Sequence, residues 1–243
     1  MKPRTKSLFH FTNSLQTLCY ILEDGFWPRY CHEYIGWVAN EPEFIAIPVV
    51  CFCDIPLSRL TEHTDFYGKF GIGMTQEWGL NSGLNPVLYI SKDSTLFPTL
   101  KGLLENPHPN IDDSKFWVMQ TLGYTKPLVG KMKRGENTID KSFYEECEWR
   151  YVPIIYEGTK YAFLVGPKES DDPKIIEEAN AERRQDSMLK FEPKDVRYLL
   201  VEKTSDIPNL VDFINTKLGH FPHNDLKVLS TKIISLDEIV KDI

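Results

Sequence analysis

Two glutamates and an arginine at alternate positions, in Glu146-Cys147-Glu148-Trp149-Arg150, are the residues of this chain best spaced for chemistry. In an extended segment successive side chains point to opposite faces, so Glu146, Glu148 and Arg150 share one face, and Cys147, Trp149 and Tyr151 the other. Carboxylates two residues apart repel each other. An arginine beside them offsets this in part, and the arrangement perturbs carboxylate ionisation. A fixed anion of this kind stabilises a developing cation. The same spacing also describes an exposed strand with a charge ladder, and pattern alone leaves both readings open. A second candidate is His10 in Phe9-His10-Phe11-Thr12, facing away from the two phenylalanines; a strand histidine is also commonly a structural residue. Tyr67, ahead of Gly68-Lys69-Phe70-Gly71-Ile72-Gly73, is either a site residue or a core tyrosine with a bonded hydroxyl. The glycines there lack the GxGxxG spacing and run into a strand rather than opening a helix, which excludes a dinucleotide or phosphate loop. The two polar segments, near residues 10 and 148, read as two ends of one site.

These residues need elements to hold them. Ser7 to Thr12 reads as a strand, since Leu8, Phe9 and Phe11 favour extended backbone around His10. Asn13 or Ser14 caps a helix with apolar positions at Leu15, Leu18, Cys19 and Leu22, and Gly25 stops it. Residues 26–45 are aromatic-rich and irregular, suited to a lid or packed loop. Ile45 to Phe52 is a buried strand, and a helix runs from Pro56 to about Thr64. Phe70 to Met74 is a strand, Thr75 caps a short helix with Trp78, and Val87 to Ile90 is another strand. Helices are expected over 94–104 and 113–124, with a turn at 106–110 between them. The Lys/Gly/Asn-rich stretch 126–141 reads as a mobile loop. Phe143–Ile155 and Tyr161–Val165 read as a hairpin turning at Glu157-Gly158. Then come a helix from Pro173 to Gln185 with a solvated charged face, a strand Val196–Glu202, a helix Ile207–Leu218, a strand Val228–Ile233 and a short C-terminal helix. Frequent hairpin neighbours without regular βαβ alternation favour α+β. With no repeat or clear linker, one domain over 1–243 is the simplest organisation.

Composition narrows the function classes. The chain has 243 residues, 42% hydrophobic and 26% charged, as expected for a globular protein. A net charge of −7 disfavours a protein whose main work is binding a nucleic-acid backbone. The densest basic patch, Lys126, Lys131, Lys133 and Arg134, reads as a solvated loop. Five cysteines, Cys19, Cys31, Cys51, Cys53 and Cys147, form no regular framework and suggest reduced thiols in a cytoplasm. No secretory signal or membrane-spanning stretch is visible. A zinc site is disfavoured because Phe221-Pro222 separates the close pair His220 and His223.

Four blocks carry a resemblance. Leu8-Phe9-His10-Phe11-Thr12, Val50-Cys51-Phe52-Cys53-Asp54-Ile55-Pro56-Leu57, Tyr67-Gly68-Lys69-Phe70-Gly71-Ile72-Gly73 and Phe143 to Pro153 resemble, in order, the AbiGi family. That family is described as abortive-infection phage-resistance proteins, the antitoxin partner of a toxin–antitoxin pair. The resemblance spans about residues 7 to 205 and implies a cognate toxin, or a phage or host macromolecule, as partner. A more distant resemblance is to ADP-ribosyltransferases, whose His-Tyr-Glu pattern is similar to His10, Tyr67 and Glu148; Glu146-x-Glu148 resembles the E-x-E of arginine-modifying members. Cys51-Phe52-Cys53-Asp54 stands where those enzymes carry a Ser-Thr-Ser strand. This resemblance implies a split antiparallel or mixed sheet with flanking helices, and NAD as substrate without a metal. His10 and Tyr67, with Thr12 and Arg150, would hold NAD. Glu148 would hold the ribose 2′-OH and stabilise the oxocarbenium-like transition state, and Glu146 would orient or deprotonate the acceptor.

Overall fold

The computed structural model describes residues 5–39, 41–106, 114–135, 137–155, 159–239 and 241. The strands are β1 (Ser7–Thr12), β2 (Arg29–Tyr34), β3 (Phe44–Cys53), β4 (Phe70–Thr75), β5 (Asn85–Pro86) and β6 (Leu88–Ile90). They continue with β7 (Thr125–Pro127), β8 (Val129–Arg134), β9 (Asn137–Ser142), β10 (Glu148–Tyr151), β11 (Val196–Val201) and β12 (Ile233–Ser235). The helices are α1 (Leu15–Asp24), α2 (Leu60–Tyr67), α3 (Gln76–Asn81), α4 (Leu96–Glu105) and α5 (Ser114–Gly123). After them come α6 (Pro167–Ser170), α7 (Pro173–Asp186), α8 (Ile207–Lys217), α9 (His223–Ser230) and α10 (Leu236–Ile239). Parallel and antiparallel strand pairs are both present, and the class is α+β.

The chain clusters into two compact units. The first gathers Met1–Phe26, Cys51–Leu84 and Met188–Ile243; the second gathers Trp27–Val50 and Asn85–Ser187.

In the first unit β4 pairs antiparallel with β1 on one side and β11 on the other, β12 adds parallel to β11, and Phe9 of β1 pairs with Cys53 at the end of β3. One face of this sheet carries Leu8, Ile72, Met74 and Leu199, all fully buried. The other carries Phe9 and Tyr198 on either side of Gly73, which has no side chain to separate them. The Gly-x-Gly spacing of β4 is thus a packing device. Helix α1 begins as the sequence predicts: the Ser14 side chain accepts from the Thr17 amide, and Gly25 ends the helix at φ 88°. Thr75 caps α3 in the same way through the Trp78 amide.

In the second unit β2 pairs antiparallel with β3 from Arg29↔Val49 to Tyr34↔Phe44. The stretch expected to be irregular between 26 and 45 therefore contains a paired strand, whose mixed sequence Arg-Tyr-Cys-His-Glu-Tyr hides the alternation. The expected loop at 126–141 is the β8–β9 hairpin, with Arg134 opposite Asn137 and Gly135 at φ 62°. Exposed Val129, Lys131 and Arg134 are interspersed with the less exposed Gly130, Met132 and Lys133, so a polar composition conceals a strand. The expected long strand from Phe143 is broken at its start. Phe143–Glu146 form a 3₁₀ turn, Cys147 takes the left-handed region at φ 47°, and only Glu148–Tyr151 are extended. Tyr161–Val165 form no strand beyond a bridge from Val165 to Ala46, so the expected hairpin is absent, and its turn at Glu157-Gly158 falls outside the described residues. The expected turn at 106–110 also falls outside them after Asn106.

Further along, the segment expected as strand Val228–Ile233 divides between α9 and β12. Leu226 and Leu229, three apart, are buried on one helix face, and the β-branched pair Ile233-Ile234 starts the strand. Helix α7 is present as expected, but its charged face is not wholly solvated. Arg183 is fully buried, with Nη2 at 3.0 Å from Glu182 and 2.9 Å from Asp186. All five cysteines are free.

Candidate functional site

Glu146, Glu148 and Arg150 are brought together in the second unit, and none of them is a surface charge. Glu146 and Glu148 are each 5% exposed and Arg150 is fully buried. Strand β10 holds Glu148 and Arg150 on one face, as alternation requires. Glu146 reaches the same place from the end of the 3₁₀ turn. The left-handed Cys147 redirects the chain between them.

The residue at the centre is Lys126 of β7. Its ammonium lies 3.1 Å from Glu146 and 2.8 Å from Glu148, and 4.5 Å from the centre of the Phe143 ring. Far from being a solvated loop residue, Lys126 is 6% exposed. Burial lowers its pKa, and the carboxylates of Glu148, Glu33 and Glu146 outweigh burial, leaving it above the ordinary lysine value. Arg150 completes the cluster. Its Nε donates to Glu148 at 2.7 Å, its Nη2 to Glu33 of β2 at 2.7 Å, and its Nη1 to the Gly123 carbonyl at 2.9 Å. Tyr89, opposite Lys126 in the β6–β7 pair, accepts the Glu148 amide on its hydroxyl at 2.8 Å. Burial foremost raises the Tyr89 pKa, so the phenol stays protonated.

Sequence reasoning found the two glutamates and the arginine, and missed Lys126, Glu33 and Tyr89. Once buried, the two carboxylates require more cation than one arginine supplies, but nothing in the sequence marks Lys126 as its source.

The remaining predicted residues belong to the first unit. His10 and Thr12 lie on β1. The Nδ1–H of His10 donates to the Cys51 carbonyl at 2.8 Å, which fixes the tautomer, and its ring packs edge-on against Phe26 at 5.2 Å and tilted against Phe52 at 5.6 Å. Those two rings, 4.9 Å apart, join Trp78 in an aromatic cluster. Tyr67 ends α2 and packs against Phe66 at 4.7 Å. The next residue, Gly68, presses against the Thr12 backbone, so Thr12 and the Tyr67 corner are neighbours.

Burial lowers the pKa of His10, with the Cys51 hydrogen bond opposing in part. The unfolded chain therefore takes up this proton first, and stability is full above the unfolded value of about 6.5 and falls as pH drops below it. We expect the melting temperature to decline between pH 7.5 and 5.5, and the decline to be shallower in His10→Gln, whose amide can still donate to Cys51. Equal slopes in thermal melts of the two proteins would contradict this placement of His10.

Among the described residues, no group of three or more His, Cys, Asp and Glu side chains is arranged to hold a metal, and no helix is long and apolar enough to cross a membrane.

No solved structure matches this chain. A curated relative does: "Abortive phage resistance protein AbiGi" of Lactococcus lactis subsp. cremoris is 30% identical over 252 residues, covering 90% of this chain and 99% of the relative. A family model described as "Putative abortive phage resistance protein AbiGi, antitoxin" matches residues 24–202. That span takes in the whole second unit, with its buried charge cluster, as well as β4 and β11. The chain belongs to the AbiGi family.

Proposed function

We propose that this protein serves in resistance to phage, in the cytoplasm, as the antitoxin of a toxin–antitoxin pair, and that it acts by binding its partner rather than by turning over a substrate. The observation that carries this reading is the occupancy of Glu148. One carboxylate oxygen accepts from Arg150 Nε and the other lies on Lys126, inside a site 5% exposed. A carboxylate held this way is neutralised and braced; it organises the strands that carry it. The test is co-expression with the cognate toxin. Growth should be rescued by the wild-type protein and equally by a folded Glu148→Gln variant. Rescue lost in that variant, with melting temperature and toxin binding retained, would overturn the binding reading.

One feature favours a second reading. Glu146 and Glu148 are held by the same ammonium at E-x-E spacing, and an ADP-ribosyltransferase-like NAD site uses two glutamates so spaced. In that reading the sheet is of the split transferase type. Glu148 holds the ribose 2′-OH and stabilises the developing cation, and Glu146 serves the acceptor. Nicotinamide released from NAD by the purified protein, and abolished by Glu148→Gln at unchanged melting temperature, would establish it in place of the first.

A further inference from the structure

The first unit contains a cleft that neither reading uses. It is an open depression of about 460 Å³, within the size range of small-molecule sites. Its floor is the sheet face on which Phe9 and Tyr198 flank Gly73. The two rings are nearly parallel, with centroids 5.9 Å apart and planes at 16°. A Cβ on Gly73 would come within 2.7 Å of the Phe9 ring and 3.2 Å of the Tyr198 Cβ, so this glycine is what lets the rings meet. The segment Ile55–Ser58 forms one wall, and Lys6 and Arg197 line the cleft from strand ends. Both cations are exposed, and the Arg197 guanidinium carbon lies 5.9 Å from the centre of the Tyr198 ring. The Ser58 hydroxyl adds a donor, whereas the Asp54 carboxylate, the nearest acid in sequence to this wall, is engaged by Thr5.

Tyr198, half-buried where Phe9 is only 2% exposed, offers a ring for a planar group to lie against, and two cations with a hydroxyl beside it offer partners for an anion. We propose that this cleft binds a mononucleotide, the base lying against Tyr198 and the phosphate meeting Arg197 and Lys6. The size of the cleft favours one nucleotide over a strand. The net charge of −7 also weighs against a long polyanion.

The test is calorimetric titration of the full-length protein with adenosine and guanosine 5′-monophosphates, with the two nucleosides, inorganic phosphate and a single-stranded decanucleotide as separate arms. Saturable binding of a mononucleotide is expected. It should weaken about tenfold in Arg197→Ala, through loss of a charge-assisted contact, and by a similar factor in Tyr198→Leu, through loss of stacking. Lys217→Ala, a change at the end of α8, should bind as wild type. Neither mononucleotide binding at millimolar concentration, equal affinity for inorganic phosphate alone, or binding indifferent to both cleft variants would overturn the proposal. So would a decanucleotide binding far more tightly than either monophosphate, since that describes a strand-binding surface. Rescue from the toxin is scored separately, so failure of this site and failure of the antitoxin reading are distinguishable.

Discussion

Replacing Lys126 by Met should destabilise the second unit by about 3–5 kcal/mol, the cost of removing one partner from a buried ion pair. The side chain is similar in length and apolar, so the variant removes charge while nearly keeping volume. What it leaves behind is Glu146 and Glu148, each 5% exposed, facing the space of a lost ammonium 3.1 and 2.8 Å away. Arg150 cannot compensate for both, because it already serves Glu148, Glu33 and the Gly123 carbonyl. Lys141 lies 3.9 Å from Glu146 but is more exposed, so its charge is better screened than that of Lys126. A protein of this size would lose on the order of 10 °C in melting temperature. The double variant Lys126→Met/Glu148→Gln should recover part of the loss, since it no longer leaves two anions together, and the cycle measures their coupling. A loss below about 1 kcal/mol in urea unfolding of the single variant would mean that Lys126 sits in high dielectric, and the closed cluster would be refuted.

Gly68→Ala should cost about 3 kcal/mol or more. Gly68 has φ 123° and ψ 160°, a region that essentially only glycine occupies, and this backbone alone costs an alanine about 1–3 kcal/mol. The added Cβ would also fall 2.2 Å from the Thr12 carbonyl oxygen and 2.8 Å from the Asn13 amide nitrogen. Those are backbone atoms between β1 and α1 and cannot rotate away. Gly83 is the internal control: its φ is 77°, but a Cβ there meets nothing within 4 Å. Gly83→Ala should therefore cost only about 1 kcal/mol. Chemical denaturation of the two variants side by side checks the contrast, and equal losses would show that the Thr12 contact is not what fixes Gly68.

These two sites differ in how far the sequence announces them. The β1–α1 segment was legible almost to the residue, because its signals are local: β-forming residues around His10, a capping residue at Asn13 or Ser14 and a stop glycine. Strands β3, β4 and β11 were legible for the same reason, and so was the cap of α3. The 3₁₀ turn at Phe143–Glu146 was not. Its reason lies in Lys126, twenty positions earlier, which draws Glu146 inward and leaves Tyr144 exposed. β2 and the β8–β9 hairpin were also hidden, since strand pairing satisfies backbones whatever the side chains, and charged edge residues look like loop. In the candidate site, Glu146, Glu148 and Arg150 could be read because they are close in sequence. Glu33, Lys126 and Tyr89 could not, because only tertiary structure gathers residues from four strands and a turn.

The segmentation of the first unit has a consequence during synthesis. Its sheet places β4 between β1 and β11, and β11 lies beyond more than a hundred residues of the second unit. No portion of the chain shorter than about Val201 holds the strands this sheet needs, so β1 and β4 leave the ribosome with an open edge and wait for β11. The second unit has all its residues by Ser187 and is free to condense first. The nascent chain thus passes through an interval in which one half is shaped and the other is a substrate for proteases and chaperones. Translation speed across residues 188–201 sets how long that interval lasts.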